Sequence, residues 1–376
     1  MIISESDAIW AADEFINYYK KFTSIEDYLR FTKRAYLPPS NPLFPLSDDI
    51  FNEDMSPQDM EFDIRFVGER FKNSLPQEYY HNMLSATSSA LIESSIPGRE
   101  LKWIIYERNT QLIVGFIRFG SPTINSKPRN MWLGESPDLS LLNKHTVMGF
   151  NIVPTQPFGY NYLGGKLLTL ICCSHFTREH LSNIFEKPIA LFETTSLYGS
   201  SSAASQYDGL KPFVRFKGLT ESNFAPLLHD EVFHRVHNQF LEWNDGIALV
   251  ESMTKRGTPT ASKKLKRQTK MVAIIRKSLK CKEKLAEFNA TMLHALSLTE
   301  KKRAYMSDYG YGNMREVLRG EEEPIPGQNW NKFYLENIIQ WWKRKATKRY
   351  EKLKKDGRIR NRIELWTEDD NIQIIR

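Results

Sequence analysis

The stretch LKWIIYERNTQLIVGFIRF, residues 101–119, predicts a β-hairpin. Its two halves, LKWIIY (101–106) and LIVGFIRF (112–119), are rich in the β-branched and aromatic residues that favour strands. Between them, the polar residues Glu107-Arg108-Asn109-Thr110 have the composition of a turn. We therefore expect a sheet to begin near residue 101, with these two strands paired side by side.

Further strand and helix patterns follow this hairpin. HTVMGFNIVP (145–154), PIALFETTSL (188–197) and PFVRFKGL (212–219) predict three more strands. Between the first two of these strands, KLLTLICCSHFTREHLSNIF predicts a helix over about residues 165–185. The expected fold class is α+β (mixed α/β), with a central mixed sheet flanked by helices.

The regions on either side of this core have helical patterns. Apolar spacing predicts helices over residues 1–36 and over roughly 57–73 and 77–94, while residues 121–143 are typical of a loop. Basic helices are expected over about 260–288 and 331–355. We accordingly divide the chain into a helical N-terminal region (1–100), a core (101–222) and a helical, basic C-terminal region (223–376).

Composition excludes several classes of protein. The chain has 376 residues, of which 41% are apolar and 12% aromatic, and this argues against global disorder. No apolar run approaches the roughly 20 residues that cross a bilayer, and no signal peptide is visible. With only three cysteines, two of them adjacent, a disulfide framework is not expected. These features predict a protein of the cytoplasm that has no membrane partner.

The basic residues are concentrated in the last third of the chain. Residues 241–376 contain 30 Lys and Arg against 18 Asp and Glu, a net charge of +12, whereas residues 1–240 have a net charge of −5. Such an asymmetry indicates a polyanionic partner. Nucleic acid, with DNA favoured over RNA, is the first candidate.

Two basic clusters supply the residues expected to bind phosphates, since a basic helix face offers cations along a groove. The first cluster consists of Lys263, Lys264, Lys266, Arg267 and Lys270. The second consists of Lys343, Arg344, Lys345, Lys348 and Arg349. Trp341, Trp342 and Tyr350 are interleaved with the second cluster and can stack on unpaired bases. The alternative is a solvated helix face, with one of the two tryptophans in the core.

The order of predicted elements in the core is hairpin, loop, strand, glycine-containing turn, helix, strand, short helix, strand. This order resembles the GNAT acyltransferase fold over about 120 residues of the chain. More narrowly, VGFIRFGSP, HTVMGFNIVP and SAASQYDGLKPFVRFKG resemble Mom-type DNA-modification proteins of phages. The same segments resemble the GNAT-like domain of DruA proteins from Druantia phage defence.

The GNAT resemblance implies a site for acetyl-CoA or a related acyl donor. The strand before the turn would diverge from its neighbour and offer backbone groups near Phe150 and Ile152 to the pantetheine arm. The turn and the following helix N-terminus would hold the pyrophosphate, at Gly159, Gly164, Gly165 and Lys166. The family's glycine pattern falls on Gly159, Tyr162 and Gly164, of which only Gly164 fits. The alternative is a glycine turn that merely joins strand to helix.

The resemblance also implies catalytic residues. Tyr207 stands where many GNAT enzymes have a tyrosine that protonates the leaving thiolate; alternatively, its ring packs against the sheet edge. Asn151 and the loop Tyr198-Gly199-Ser200-Ser201 would line the same cleft. No metal site is expected, because the histidine-rich segment 229–237 is more typical of a helix surface.

Glu193 is a carboxylate in an otherwise apolar predicted strand. Burial there would favour a raised pKa and a role as general base. The alternative is a structural carboxylate bonded to Arg118 or Arg215 of neighbouring strands.

Three functions remain open at this point. The first is a phage-related, Mom-like acyltransferase that modifies a DNA base. The second is a catalytically inactive, DruA-like DNA-binding protein of a phage defence or counter-defence complex. The third is a GNAT-like enzyme that acts on protein or on a small amine. If the protein is phage-encoded, its compartment would be the host cytoplasm.

Overall fold

A computed structural model provides the structure of the protein. It describes residues 1–34, 55–68, 74–88, 98–196, 205–223, 226–250, 261–298 and 301–366. The chain forms two compact units. The first unit takes its described residues from Met1–Ala35 and Ser222–Glu300, and the second takes them from Tyr36–Ile92, Gly98–Glu221 and Lys301–Arg376. The structure thus groups non-consecutive segments into two units, whereas the sequence analysis divided the chain into three consecutive regions.

Seven strands of the described chain form one sheet. They are β1 Phe62–Val67, β2 Glu100–Glu107, β3 Ile113–Gly120, β4 Thr146–Pro154, β5 Leu191–Ser196, β6 Arg215–Asn223 and β7 Lys301–Ser307. The strand order is β1-β2-β3-β4-β5-β7-β6. The pair β4–β5 is parallel, and the pairs β1–β2, β2–β3, β3–β4 and β5–β7 are antiparallel.

Helices make up the rest of the regular structure. Those of the described residues are α1 Glu5–Tyr19, α2 Ile25–Arg34, α3 Gln77–Thr87, α4 Lys127–Leu133, α5 Leu139–His145, α6 Phe158–Tyr162, α7 Gly164–Cys172, α8 His175–Phe185, α9 Asp230–Glu242, α10 Ala261–Ser278, α11 Lys282–Ser297, α12 Met314–Arg319 and α13 Leu335–Lys355. The predicted mixed α+β class is confirmed. No described helix has the length and apolar character needed to cross a membrane.

The predicted hairpin is confirmed, with Trp103 of β2 opposite Ile117 of β3. The helix predicted over 57–73 is wrong, because this region contains β1, whose sequence FDIRFV alternates apolar and polar residues and pairs with β2. Residues 121–143, predicted as loop, contain α4, in which Pro128 occupies the first turn, where proline is well tolerated. The sequence analysis also missed β7, which lies between β5 and β6 in the sheet.

The sheet buries both of its faces. On one face, which we call the α7 face, Trp103, Val147 and Phe192 pack with apolar residues of α7. On the opposite face, the α3–α4 face, Ile104 contacts the cluster beneath α3, and Leu191 contacts that beneath α4 and α12. Alternating residues of one strand therefore face two separate helical layers.

Helix α13 has one apolar side and one basic side. Its buried residues include Ile338, Trp342, Ala346 and Tyr350, which recur at helical spacing and pack in the same core as α7. The indole Nε1 of Trp342 donates a hydrogen bond to the carbonyl oxygen of Tyr162 at 3.0 Å. The alternative reading that one tryptophan of this segment lies in the core is therefore confirmed for Trp342.

The first unit is a helical assembly in which α1 packs on α9, α10 and α11. A buried hydrogen-bond group joins its segments: the Tyr19 hydroxyl donates to the carbonyl of Pro226 at 2.8 Å, and the Gln268 amide donates to the Tyr19 hydroxyl at 3.1 Å. These bonds satisfy polar atoms that burial would otherwise leave unpaired.

We expect Trp342→Ala to lower the free energy of unfolding by about 3–5 kcal/mol, because it removes a wholly buried ring and leaves the Tyr162 carbonyl without its indole donor. Urea unfolding followed by circular dichroism measures this loss. The matched control is Trp341→Ala, which removes a half-buried ring from the neighbouring position. Equal losses in the two variants would contradict the assignment of Trp342 to the core.

Candidate functional site

The strands β4 and β5 separate partway along their length. Their parallel pairing runs from Thr146 opposite Leu191 to Gly149 opposite Thr194, whereas β4 continues to Pro154 beside β3. The Thr194 hydroxyl donates to the carbonyl of Gly149 at 2.9 Å, at the last paired position. Beyond this point, the edge of β4 that faces β5 needs other hydrogen-bond partners.

Gln206 provides one such partner. Its side-chain Nε2 donates to the carbonyl oxygen of Ile152 at 3.0 Å, on the edge that β5 has left. Its Oε1 lies so close to Gly165, in the first turn of α7, that a Cβ at that position would collide with it. Gln206 therefore occupies the space between the β4 edge and the beginning of α7.

The other residues of the predicted cofactor turn also have partners within the chain. Lys166 donates from Nζ to the carbonyl oxygens of Gln206 and Asp208. A Cβ on Gly164 would lie 2.6 Å from the ring of Phe158, and one on Gly159 would lie 2.5 Å from the Gln156 side chain. The two glycines thus permit close packing within this turn.

Tyr162 and Phe150 complete this picture. Tyr162 is buried, and its carbonyl oxygen accepts the bond from Trp342. Phe150 is the extra residue of a β-bulge opposite Arg118 and Phe119 and is 36% exposed. Side chains of the same chain therefore pack closely against the glycines of the predicted turn, and an acyl donor would have to compete with Gln206 for the space beside Gly165. The predicted acyl-donor site stays a prediction.

Tyr207 lies at the point where β4 and β5 separate. It is buried, and its ring packs against Tyr305 with centroids 5.1 Å apart. Burial raises the pKa of the Tyr207 phenol, and hydrogen bonds with Thr194 and Gln206 oppose this shift. The phenol is thus linked through Thr194 to the last paired position of the two strands.

Glu193 lies on the opposite face of the sheet from Tyr207, because it precedes Thr194 in β5. Its carboxylate accepts from Nη1 of Arg129 at 2.9 and 3.2 Å, and both side chains are buried. Burial raises the pKa of the Glu193 carboxyl, and the Arg129 guanidinium opposes this shift. The expectation that Tyr207 and Glu193 line one cleft is therefore wrong, since the sheet lies between them.

Glu193 is paired, as the structural alternative expects, but its partner is Arg129 rather than Arg118 or Arg215. Arg118 pairs with Glu100, and Arg215 pairs with Asp308 at 2.9 Å. Arg129 also donates to the backbone carbonyls of residues 123 and 124, so it joins the loop before α4 to β5. Sequence reasoning missed Arg129 because it treated this region as a loop.

Asn151 faces away from Tyr207 as well. It is opposite Arg118 on the α3–α4 face and lies near the phenol of Tyr80, which donates to the carbonyl oxygen of Ile117 at 3.2 Å. Beside it, Lys102 donates to Glu100 at 2.9 Å and to Gln77 at 3.0 Å.

Sequence reasoning missed this buried polar group. The sequence contained a signal for this group: Lys102 and Arg118 are cations in otherwise apolar strands. The register of the hairpin places them opposite each other. Burial, with Lys102 and Arg118, lowers the pKa of the nearby His81 to about 4. These charges are paired within the sheet face.

The first basic cluster lies on α10 in the first unit. Lys266 and Lys270 are exposed, and Arg267 is half-buried. The Lys264 ammonium lies 4.9 Å from the ring centroid of Phe233. The side chain of Lys263, like the loop Tyr198–Ser201, lies outside the described residues.

The second cluster lies on α13 and is split by the amphipathic pattern of that helix. Lys343 is buried and donates from Nζ to the carbonyl of Gln58 at 2.6 Å, so its predicted contact with nucleic acid is wrong. Arg349 is half-buried, with its guanidinium 4.7 Å from the ring centroid of Tyr160. The structure therefore removes Lys343 from the basic surface.

Lys354 is exposed and lies against the ring of Tyr350, with its ammonium 6.0 Å from the ring centroid. Five other exposed cations of α13 form a group that we call the α13 cationic face. It consists of Arg344, Lys345, Lys348, Lys352 and Lys355. Nearby, Arg358 forms an ion pair with Asp356, and Arg360 forms one with Glu364. Within the described residues, none of the five side chains of the face forms an ion pair with a carboxylate. Their charge is therefore available to a partner.

Comparison with known proteins gives one match. The family model described as Druantia protein DruA matches residues 54–206, which supports the DruA resemblance over this stretch. No curated protein and no solved structure matches the chain. The matched stretch covers β1 to β5 and contains Arg129, Asn151 and Glu193, but it ends one residue before Tyr207 and does not include α10 or α13.

We expect Glu193→Ala to lower the free energy of unfolding by about 3–5 kcal/mol, because it leaves the Arg129 guanidinium buried without its carboxylate. Urea unfolding measures the loss in Glu193→Ala, in Arg129→Met and in the double variant. The double variant should lose less free energy of unfolding than the sum of the two single losses, by at least about 1 kcal/mol. The control is Glu61→Ala at the exposed pair with Arg108, which should cost at most about 1 kcal/mol. Additive losses would show that the buried pair is not coupled.

Proposed function

We propose that this protein is a DruA-like component of phage defence that binds nucleic acid through the α13 cationic face. The DruA match over residues 54–206 supports the association with phage defence. The observation that carries the binding function is the row of exposed cations on α13, which have no acidic partner in the described part of the chain. The net charge of +12 over residues 241–376 agrees with a polyanionic partner.

The helix presents these cations in a rigid arrangement. Its apolar side packs in the core of the second unit, with Trp342 and Ala346 wholly buried, so the opposite side is held outward. Arg344, Lys348 and Lys352 follow one another at four-residue steps, which places successive cations about 6 Å apart along the helix axis. A helix fixed in this way can contact several phosphates without first having to order itself.

We expect Arg344→Glu combined with Lys348→Glu to weaken binding to a DNA duplex at least about tenfold at 0.1 M salt, because two phosphate contacts are lost and replaced by repulsion. Fluorescence anisotropy with a labelled duplex measures the change. The matched control is Lys187→Glu with Lys301→Glu, which alters two exposed lysines outside α13 by the same total charge. Equal losses in both variants would mean that only net charge matters and would contradict a site on α13.

A second candidate is acyl transfer to a nucleic-acid base, as the Mom resemblance implies. The separation of β4 from β5 after Gly149 and the position of the Tyr207 phenol at that point favour it. Against it, Gln206 occupies the β4 edge and the beginning of α7. An acyl donor would have to displace this side chain before it could bind there.

Thermal melting with and without acetyl-CoA tests this second candidate. We expect no shift of the melting temperature for the native chain at millimolar acetyl-CoA, because Gln206 covers the site, whereas a ligand at 100 times its Kd would add about 2.7 kcal/mol. Gln206→Ala uncovers the Ile152 carbonyl and is the matched variant. A clear shift in the native chain would favour acyl transfer, and a shift in Gln206→Ala alone would identify Gln206 as the obstacle.

A further inference from the structure

We propose that the α13 cationic face contacts the phosphate backbone of duplex nucleic acid and does not stack on unpaired bases. This inference rests on the proposed function and specifies its substrate class. It departs from the sequence-based expectation that the tryptophans and tyrosine of this segment would stack on bases.

The aromatic rings near the face are already covered. Trp342 and Tyr350 are buried in the core. Trp341 is half-buried; the ring of Phe213 lies edge-on to it at 5.6 Å between centroids, and the Lys345 ammonium lies 5.5 Å from its centroid. A base that stacked on Trp341 would have to compete with Phe213 and Lys345 for this ring.

Tyr160, on α6, is an aromatic residue that lies against Arg349 of α13. The guanidinium of Arg360 lies 3.9 Å from its ring centroid, and that of Arg349 lies 4.7 Å from it. The Asn161 side chain donates to the carbonyl oxygen of Arg360, and its Oδ1 accepts from the Arg360 amide at 3.1 Å. Arg360 is thereby held over the ring, and Tyr160 is not available as a platform for a base.

The residue types on the face also favour backbone contact. Four of its five members are lysines, whose ammonium groups act as point charges, and Arg344 is the one member with a guanidinium that can read a base edge through two bonds. Two exposed carboxylates lie close to the face in sequence: Glu351 precedes Lys352, and Asp356, which pairs with Arg358, follows Lys355. The face therefore has the cations needed for phosphate contacts, whereas Arg344 is its one side chain that can read a base edge through two bonds.

The length of the face sets the expected salt dependence. From Arg344 to Lys355 the helix rises by about 16 Å, which accommodates roughly three to five phosphate contacts. For a duplex, the logarithm of the binding constant should fall against log salt with a slope of about −0.9 per contact, and for a single strand with about −0.7.

Anisotropy titrations of the full chain against three labelled probes test the inference. The probes are two 20-base-pair DNA duplexes of unrelated sequence and a 20-nucleotide oligo-dT strand, each measured over a series of salt concentrations. We expect the two duplexes to bind within about twofold of each other and the single strand to bind at least about fivefold more weakly. Lys348→Gln with Lys352→Gln should reduce the duplex slope by about 1.8, and Lys187→Gln with Lys301→Gln should leave it unchanged.

Aromatic variants provide the second arm. Tyr160→Ala and Trp341→Ala, checked for folding by circular dichroism, should leave the affinity for oligo-dT within about twofold. Tighter binding of oligo-dT than of duplex, or a tenfold loss in either aromatic variant, would overturn the inference while leaving nucleic-acid binding in place. A failure to bind all three probes would overturn the proposed function itself, and the inference with it.

Discussion

The packing of α13 across the turn between β4 and α7 is the constraint on which the second unit depends. Trp342 contributes a wholly buried ring and an indole N–H that satisfies the carbonyl of Tyr162. This contact has two consequences, because a helix with one side in the core must present its other side to the exterior. It ties α13 to the turn, and it holds Arg344, Lys348 and Lys352 outward.

The parallel pair β4–β5 organises the remaining polar groups. Where the two strands separate, Gln206 supplies the hydrogen bond that a neighbouring strand would otherwise have supplied to Ile152. Thr194 and Glu193 are adjacent in β5, yet they point to opposite faces, so Tyr207 meets one and Arg129 meets the other. Tyr207 and Glu193 thus belong to two separate buried polar groups, one on each face of the sheet, rather than to one cleft.

The strands were easier to predict than the site. LKWIIY and LIVGFIRF are long apolar runs with a polar turn between them, and a signal of that strength predicted the β2–β3 hairpin correctly. β1 was mistaken for helix because FDIRFV is short and lies beside helical patterns. β7 was missed because its sheet partner β5 precedes it by more than 100 residues, and pairing over such a distance leaves no local trace.

The sequence by itself determined the mixed class, the hairpin, the basic helix that contains α13 and the concentration of positive charge in the last third of the chain. These are properties of composition and of short-range periodicity, which a linear chain displays directly. Only the tertiary structure decided that Lys343 is buried while Lys348 is exposed, that Arg129 is the partner of Glu193, and that Gln206 covers the edge of β4. Each of these depends on which distant segment packs against a residue, and burial and hydrogen bonding between distant segments exist only after the chain has folded.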